Sequence, residues 1–273
     1  DDGFACRVNG SLERYECELS PYLNSTHRWV FTPTSSLEKL LKNSFAAGDY
    51  KSLNKLYWTD LFESIDATRN FFLKRSKPLV ISSVELVNRG DFISSAPIVR
   101  SLFELSIWAL QHSATFKNKL KEYDSKANPA VHILDASTLQ NLVVKLIWGT
   151  RLKERTKKNK ELSQMHIIDE FKKVAKRDEL NFIEPTYDFL CELCHPNAVG
   201  NWLFANAEDL DTAKSRINTS IFNTQSGAER DNVLLHICGA LSWALLALAN
   251  SNLQFDEALL WIDSKFGLAR LKQ

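Results

Sequence analysis

Apolar residues recur at intervals of three and four through most of this chain, the period of a helix with one face turned to a core. From Leu53 to Arg75, the residues Leu56, Leu61, Phe62, Ile65, Phe71, Phe72 and Leu73 make a broad apolar stripe. Ser35-Ser36-Leu-Glu opens a helix before it, with serine caps and an early acid. Pro78 to Asn88 reads as a shorter helix ended by Gly90, and Asp91 to about Tyr123 as a long one. The first half of that long helix, through Ile98, Val99, Leu102, Phe103 and Ile107, is apolar nearly all round, which predicts a central position. After a Pro-containing break at 127–130, helices are predicted over 137–160, 165–176, 184–195 and 208–219. A second central helix follows over 231–249, and 256–268 closes the chain.

Residues 1–34 break the pattern with Gly3, Gly10, Pro21 and Pro33, and are expected to form an irregular N-terminal arm. No repeat, low-complexity tract or linker interrupts 35–273, so a single helical domain is expected there. The fold class that follows is an all-α multi-helix bundle. The longest apolar run, Val233 to Ala249, falls short of the roughly 20 residues that span a bilayer and reads as a core helix.

Composition adds exclusions. A net charge of +1 supplies no global field for nucleic acid or an anionic membrane. Five scattered cysteines (Cys6, Cys17, Cys191, Cys194, Cys238) argue against a disulfide framework and for a reducing compartment. No signal peptide is read at the start, and the opening Asp1 in place of Met fits a processed or cut terminus. The expected setting is cytoplasmic, without a membrane partner.

Polar residues inside apolar helices carry the candidate chemistry. Arg100 and Glu104 lie four apart on one face of an otherwise hydrophobic helix, so they either pair to fix the packing or point into a shared polar pocket. In Tyr187 to Gly200, Pro196 biases His195 away from helical geometry, which should end the helix and place His195 and Asn197 at its C-terminus. That can hold a catalytic histidine in a crevice, or it can be a structural turn. Cys191, Cys194 and His195 have the C-x-x-C-H spacing of haem c attachment, and with His236 or Cys238 could approach a zinc tetrahedron. Export would be needed for the haem, and three zinc ligands from one helical turn are unusual, so no metal or cofactor is expected. Glu192-x-x-His195 has half the spacing of a di-iron site but lacks a second copy. The basic run from Arg151 to Lys160 could meet RNA phosphates or be a solvated helix end.

Arg230 and His236, separated by five residues at the start of a central helix, resemble the R-x4-6-H motif of HEPN ribonucleases. The resemblance implies RNA cleavage by the Arg and His of two subunits, chemistry that suits an imidazole acid or base and a guanidinium facing phosphorane charge. On one continuous helix, however, six steps turn the two side chains well apart. Two longer stretches also carry a resemblance. Gly90, Ala96, Arg100-Ser-Leu and Glu104 are similar to a G-x5-A-x3-R-S-L-x-E signature. Tyr187, Leu190, Glu192, His195-Pro-Asn197 and Gly200 are similar to Y-x2-L-S-E-x2-H-P-N-x2-G. Together, over roughly 50–250, they resemble a bacterial helical family with no assigned reaction, the DUF5677 type, itself similar to HEPN-like bundles. Where that pattern has Ser this chain has Cys191, which counts further against haem and zinc.

The resemblance implies a HEPN-like bundle in which Arg100, Glu104, Glu192, His195 and Asn197 converge. By analogy of fold it implies an RNA-directed protein, a metal-independent ribonuclease of toxin or phage-defence type, with Arg230, His236 and His195 as its catalytic residues. RNA, a second copy or a protein partner are the partners such a chain would take. The alternative is a non-catalytic interaction or regulatory protein whose Arg-Glu and His-Pro-Asn groups are structural.

Overall fold

The computed structural model describes residues 2–24, 34–124, 128–150, 152–158, 163, 166–175, 180–195 and 226–271; within its helices, the side chains of 2–7, 34–37, 129–131, 158, 175 and 226–232 fall outside the description. The described residues are helical, without a strand; one isolated bridge joins Thr150 and Ser163. In chain order the helices are α1 (Asp2–Leu23), α2 (Thr34–Ala46), α3 (Tyr50–Asn88), α4 (Phe92–Tyr123), α5 (Pro129–Trp148), α6 (Lys153–Lys158), α7 (Ile167–Ala175), α8 (Ile183–Cys194) and α9 (Ser226–Phe266). The all-α expectation holds. The helix expected at 208–219 lies outside the described residues.

The N-terminal segment is helical where an irregular arm was expected. The reason lies in Ser11, Tyr15 and Leu19, which recur every fourth position and are all buried. Gly10 sits on an exposed position, and Pro21 lies within the last turn of the helix.

Further boundaries differ from the sequence pattern, that of α5 (Pro129–Trp148, against an expected 137–160) among them. α3 runs unbroken through Pro78. Leu73, Ser76, Val80 and Ser83 keep one buried stripe across that site while Pro78 itself faces outward. Similarly, α9 absorbs the Asn250-Ser-Asn stretch, because Ser251 and Asn252 continue the buried stripe of Leu245 and Leu248 toward Phe255 and Leu259. Continuity changes the reading of length as well. By length and composition alone, Phe92–Tyr123 and Val233–Phe266 are each long and apolar enough to cross a membrane, with 56% of the most apolar window of each buried.

Two joints share one design. Gly48 (φ 66°) and Gly90 (φ 73°) end α2 and α3 in the left-handed conformation that glycine adopts without a Cβ penalty. Gly90 N donates to Val87 O and Asp91 N to Leu86 O; Gly48 N donates to Phe45 O and Asp49 N to Ser44 O. Both are Schellman closures. The aspartate that follows then caps the next helix, Asp91 Oδ1 accepting from Ser94 N and Asp49 Oδ1 from Ser52 N, each at 3.1 Å.

The chain divides into two compact units. The first comprises Asp1–Ser20, Arg75–Trp108 and Glu170–Ala249; the second comprises Pro21–Lys74, Ala109–Asp169 and Asn250–Gln273. In the first, Phe103 is fully buried against Phe171 and Trp243, with ring centroids 6.2 and 5.0 Å away. The core of the second gathers around Trp58, stacked on Phe266 at 4.5 Å and edge-on to Tyr123 at 6.4 Å.

Candidate functional site

In the first unit, α4 and α8 bring three polar side chains together. Arg100 Nε donates to Glu104 Oε1 at 3.1 Å across one helical turn of α4. Arg100 Nη2 donates to the Tyr187 hydroxyl at 3.0 Å, and that hydroxyl donates to Glu104 Oε1 at 3.1 Å. The guanidinium carbon also lies 5.1 Å from the centre of the Tyr187 ring. The two charged side chains are 27% and 30% exposed, so this is a half-buried network in which each charge has a partner. Burial pushes the Tyr187 phenol up to about 12; the Arg100 hydrogen bond works against that rise and the Glu104 charge adds to it. The Cys191 and Cys194 thiols are raised by burial, and the nearby Arg100 charge opposes the rise in both. Thiols held protonated in this way are poor nucleophiles.

Tyr187, Cys191 and Cys194 recur at helical spacing, which explains why all three feel Arg100. The buried face of α8 is Ile183, Thr186, Leu190 and Leu193. The role of Tyr187 was not read from sequence, although its stripe with the two cysteines was visible there.

Of the five residues the family resemblance brings together, Arg100 and Glu104 meet. Glu192 and His195 are exposed, and neither makes a hydrogen bond or ion pair with that couple. His195 caps α8 with extended geometry (φ −104°, ψ 157°), as a residue before proline should, and its N–H donates to Cys191 O. Asn197 and the side chain of Arg230 lie outside the described residues. Among the described residues no three His, Cys, Asp or Glu side chains gather as a metal site needs.

His236 has a different setting in the same unit. Its ring stacks on Phe189 with centroids 4.2 Å apart, and burial lowers its pKa, favouring the neutral imidazole. It lines a pocket of about 300 Å³ together with Thr186, Cys238, Ser242 and Trp243. Ser242 shares a 2.6 Å hydroxyl contact with Ser11. Arg230 and His236 belong to the same continuous helix, six positions apart.

The second unit carries a cluster and a groove that the sequence reading missed. Arg69 is buried, bonds Asp66 and Asp256, and lies 4.4 Å over the Tyr22 ring. Tyr22 donates to both Asp256 oxygens at 3.2 and 3.1 Å, and Asn252 Nδ2 donates to Asp256 Oδ2 at 3.3 Å. Asp66 with Arg69 and Asn252 with Asp256 are local helix spacings; only tertiary packing joins them. The groove, of about 490 Å³, lies among α2, α3 and α5 and is lined by Leu41, Phe45, Tyr50, Leu53 and Leu134, with Lys42. Phe45 and Leu134 are 70% and 67% exposed.

Comparison with protein-family models, with curated proteins and with solved structures finds no match for this chain.

Proposed function

We propose that this chain is a non-catalytic helical binding protein: its charged clusters lock helix packing, and the open groove among α2, α3 and α5 receives what it binds. One contrast carries this reading. Arg100, Glu104 and Tyr187 hydrogen-bond to one another, whereas the groove leaves Phe45 and Leu134 largely in water. Large aromatic and aliphatic side chains left open around a concave surface are a mark of binding sites. Arg100→Lys and Phe45→Asp separate the roles. The first should lower stability and leave binding intact, because lysine keeps the charge but loses the fork that meets both Glu104 and Tyr187. The second should leave stability nearly unchanged and remove dye binding to exposed apolar surface. Loss of such binding in Arg100→Lys alone refutes the assignment.

A second reading is favoured by His236, an imidazole whose pKa burial lowers and which lines a pocket on α9. On this reading the chain is a HEPN-like, RNA-directed protein, with His236 as acid or base and Arg230 contributed from another copy, as the motif resemblance implies. Incubating the pure protein with cellular RNA, beside His236→Ala and His195→Ala, tests it. Cleavage lost in His236→Ala at unchanged thermal stability supports the nuclease; an intact RNA pool with the unaltered protein removes it.

A further inference from the structure

We propose that the groove among α2, α3 and α5 binds a free single-chain carboxylate amphiphile, a fatty acid whose tail lies along the apolar lining and whose carboxylate meets Lys42; this rests on reading the groove as the binding surface. Its volume, about 490 Å³, falls in the range of small-molecule sites. Tyr50, Leu53 and Tyr57 follow one face of α3 for two turns, a strip about 10 Å long at 1.5 Å per residue. Leu41 and Phe45 face the groove from α2, and Leu134 from α5. The lining therefore offers an elongated apolar track.

Charge selects the head group. Among the described residues Lys42 is the one charged side chain lining the groove, and it forms no ion pair with a described residue. A single exposed ammonium suits one carboxylate. A phospholipid head would bring a phosphate and a glycerol backbone, for which the groove's lining has one cation and two phenols. A partner helix laying a wholly apolar face here would cover the ammonium without pairing it, an unfavourable burial.

The test is calorimetric titration of the full chain with dodecanoate and with dodecanol, below the concentration at which either self-associates. The expected result is saturable one-to-one binding of both, with dodecanoate the tighter. Lys42→Glu should weaken dodecanoate about tenfold, the exchange of a modest attraction for repulsion at an exposed site, and leave dodecanol unchanged. Raising salt should narrow the gap between the two ligands. Phe45→Asp should remove both. Lys42 and Phe45 are exposed, so far-UV circular dichroism should show both variants folded.

Absence of saturable binding overturns the proposal, as does equal weakening of dodecanoate and dodecanol in Lys42→Glu. If dodecanoate fails but a concentration-dependent mass increase, or binding to anionic phospholipid vesicles, is lost in Phe45→Asp, the fatty-acid assignment falls and the groove stands as a binding surface. If Phe45→Asp changes none of these, the fatty-acid assignment and the binding reading of the groove fall together.

Discussion

Replacing Tyr187 by Phe isolates the polar lock of the first unit, because it deletes one oxygen and leaves the ring that lies 4.3 Å from Phe171 and under Arg100. The lost hydroxyl accepts from Arg100 at 3.0 Å and donates to Glu104 at 3.1 Å. A hydrogen bond to a charged group contributes about 1.5–3 kcal/mol when water is excluded. Here the charged partners are 27% and 30% exposed, so water recovers part of each bond. Two bonds at roughly 1 kcal/mol apiece give a loss of about 2 kcal/mol. Glu104→Ala should cost about 1.5 kcal/mol: about 0.5 kcal/mol for the i,i+4 ion pair and about 1 kcal/mol for the bond from Tyr187. That is less than the several kcal/mol expected of a fully buried pair, and the exposure of both side chains is the reason. Because the two substitutions share one hydrogen bond, the double variant should lose about 1 kcal/mol less than the sum of the singles. Urea unfolding followed by far-UV circular dichroism measures all three, with the m value unchanged if only stability shifts. A Tyr187→Phe cost below about 0.3 kcal/mol, or additivity of the two changes to within about 0.3 kcal/mol, would refute the triad.

Other outcomes follow from the same structure. Asp256→Ala should cost about 3 kcal/mol in thermal or urea unfolding, since Arg69 is buried and, among the described residues, keeps Asp66 alone as a charged partner; a loss under 1 kcal/mol would contradict that burial. Tyr15, Tyr123 and Tyr187 all have phenols raised by burial from 10.0 to about 12. The unfolded chain therefore releases protons first, and stability should be full below pH 10 and fall between 10 and about 12, a slope that Tyr15→Phe should reduce. His236 is depressed below its ordinary 6.5, so the unfolded state binds its proton more readily. Stability should drop as pH falls below 6.5, and His236→Leu should flatten that limb. Gly90→Ala forces a Cβ into φ 73° and should cost about 1 kcal/mol, read as a lowered melting temperature.

The sequence by itself determined the helical class, since the three-and-four spacing of apolar residues admits no other regular structure over such lengths. It also determined the joint at 90–91, where Gly90 reads as a helix stop; the structure shows the same left-handed stop and aspartate cap at 48–49. The Arg100–Glu104 pair was legible because i,i+4 contacts are local. Packing decided what propensity could not. Pro78, Gly10 and Asn252 read as breaks, yet each lies in a helix whose buried stripe runs past it, and burial along the whole face outweighs one unfavourable residue. Tertiary structure alone joined Tyr187 to Arg100 across 87 positions and Arg69 to Asp256 across 187. It also left His195 at an exposed helix end and opened a groove beside Lys42. Local spacing fixes which residues share a face, but which faces meet depends on the fit of surfaces contributed by segments far apart in the chain.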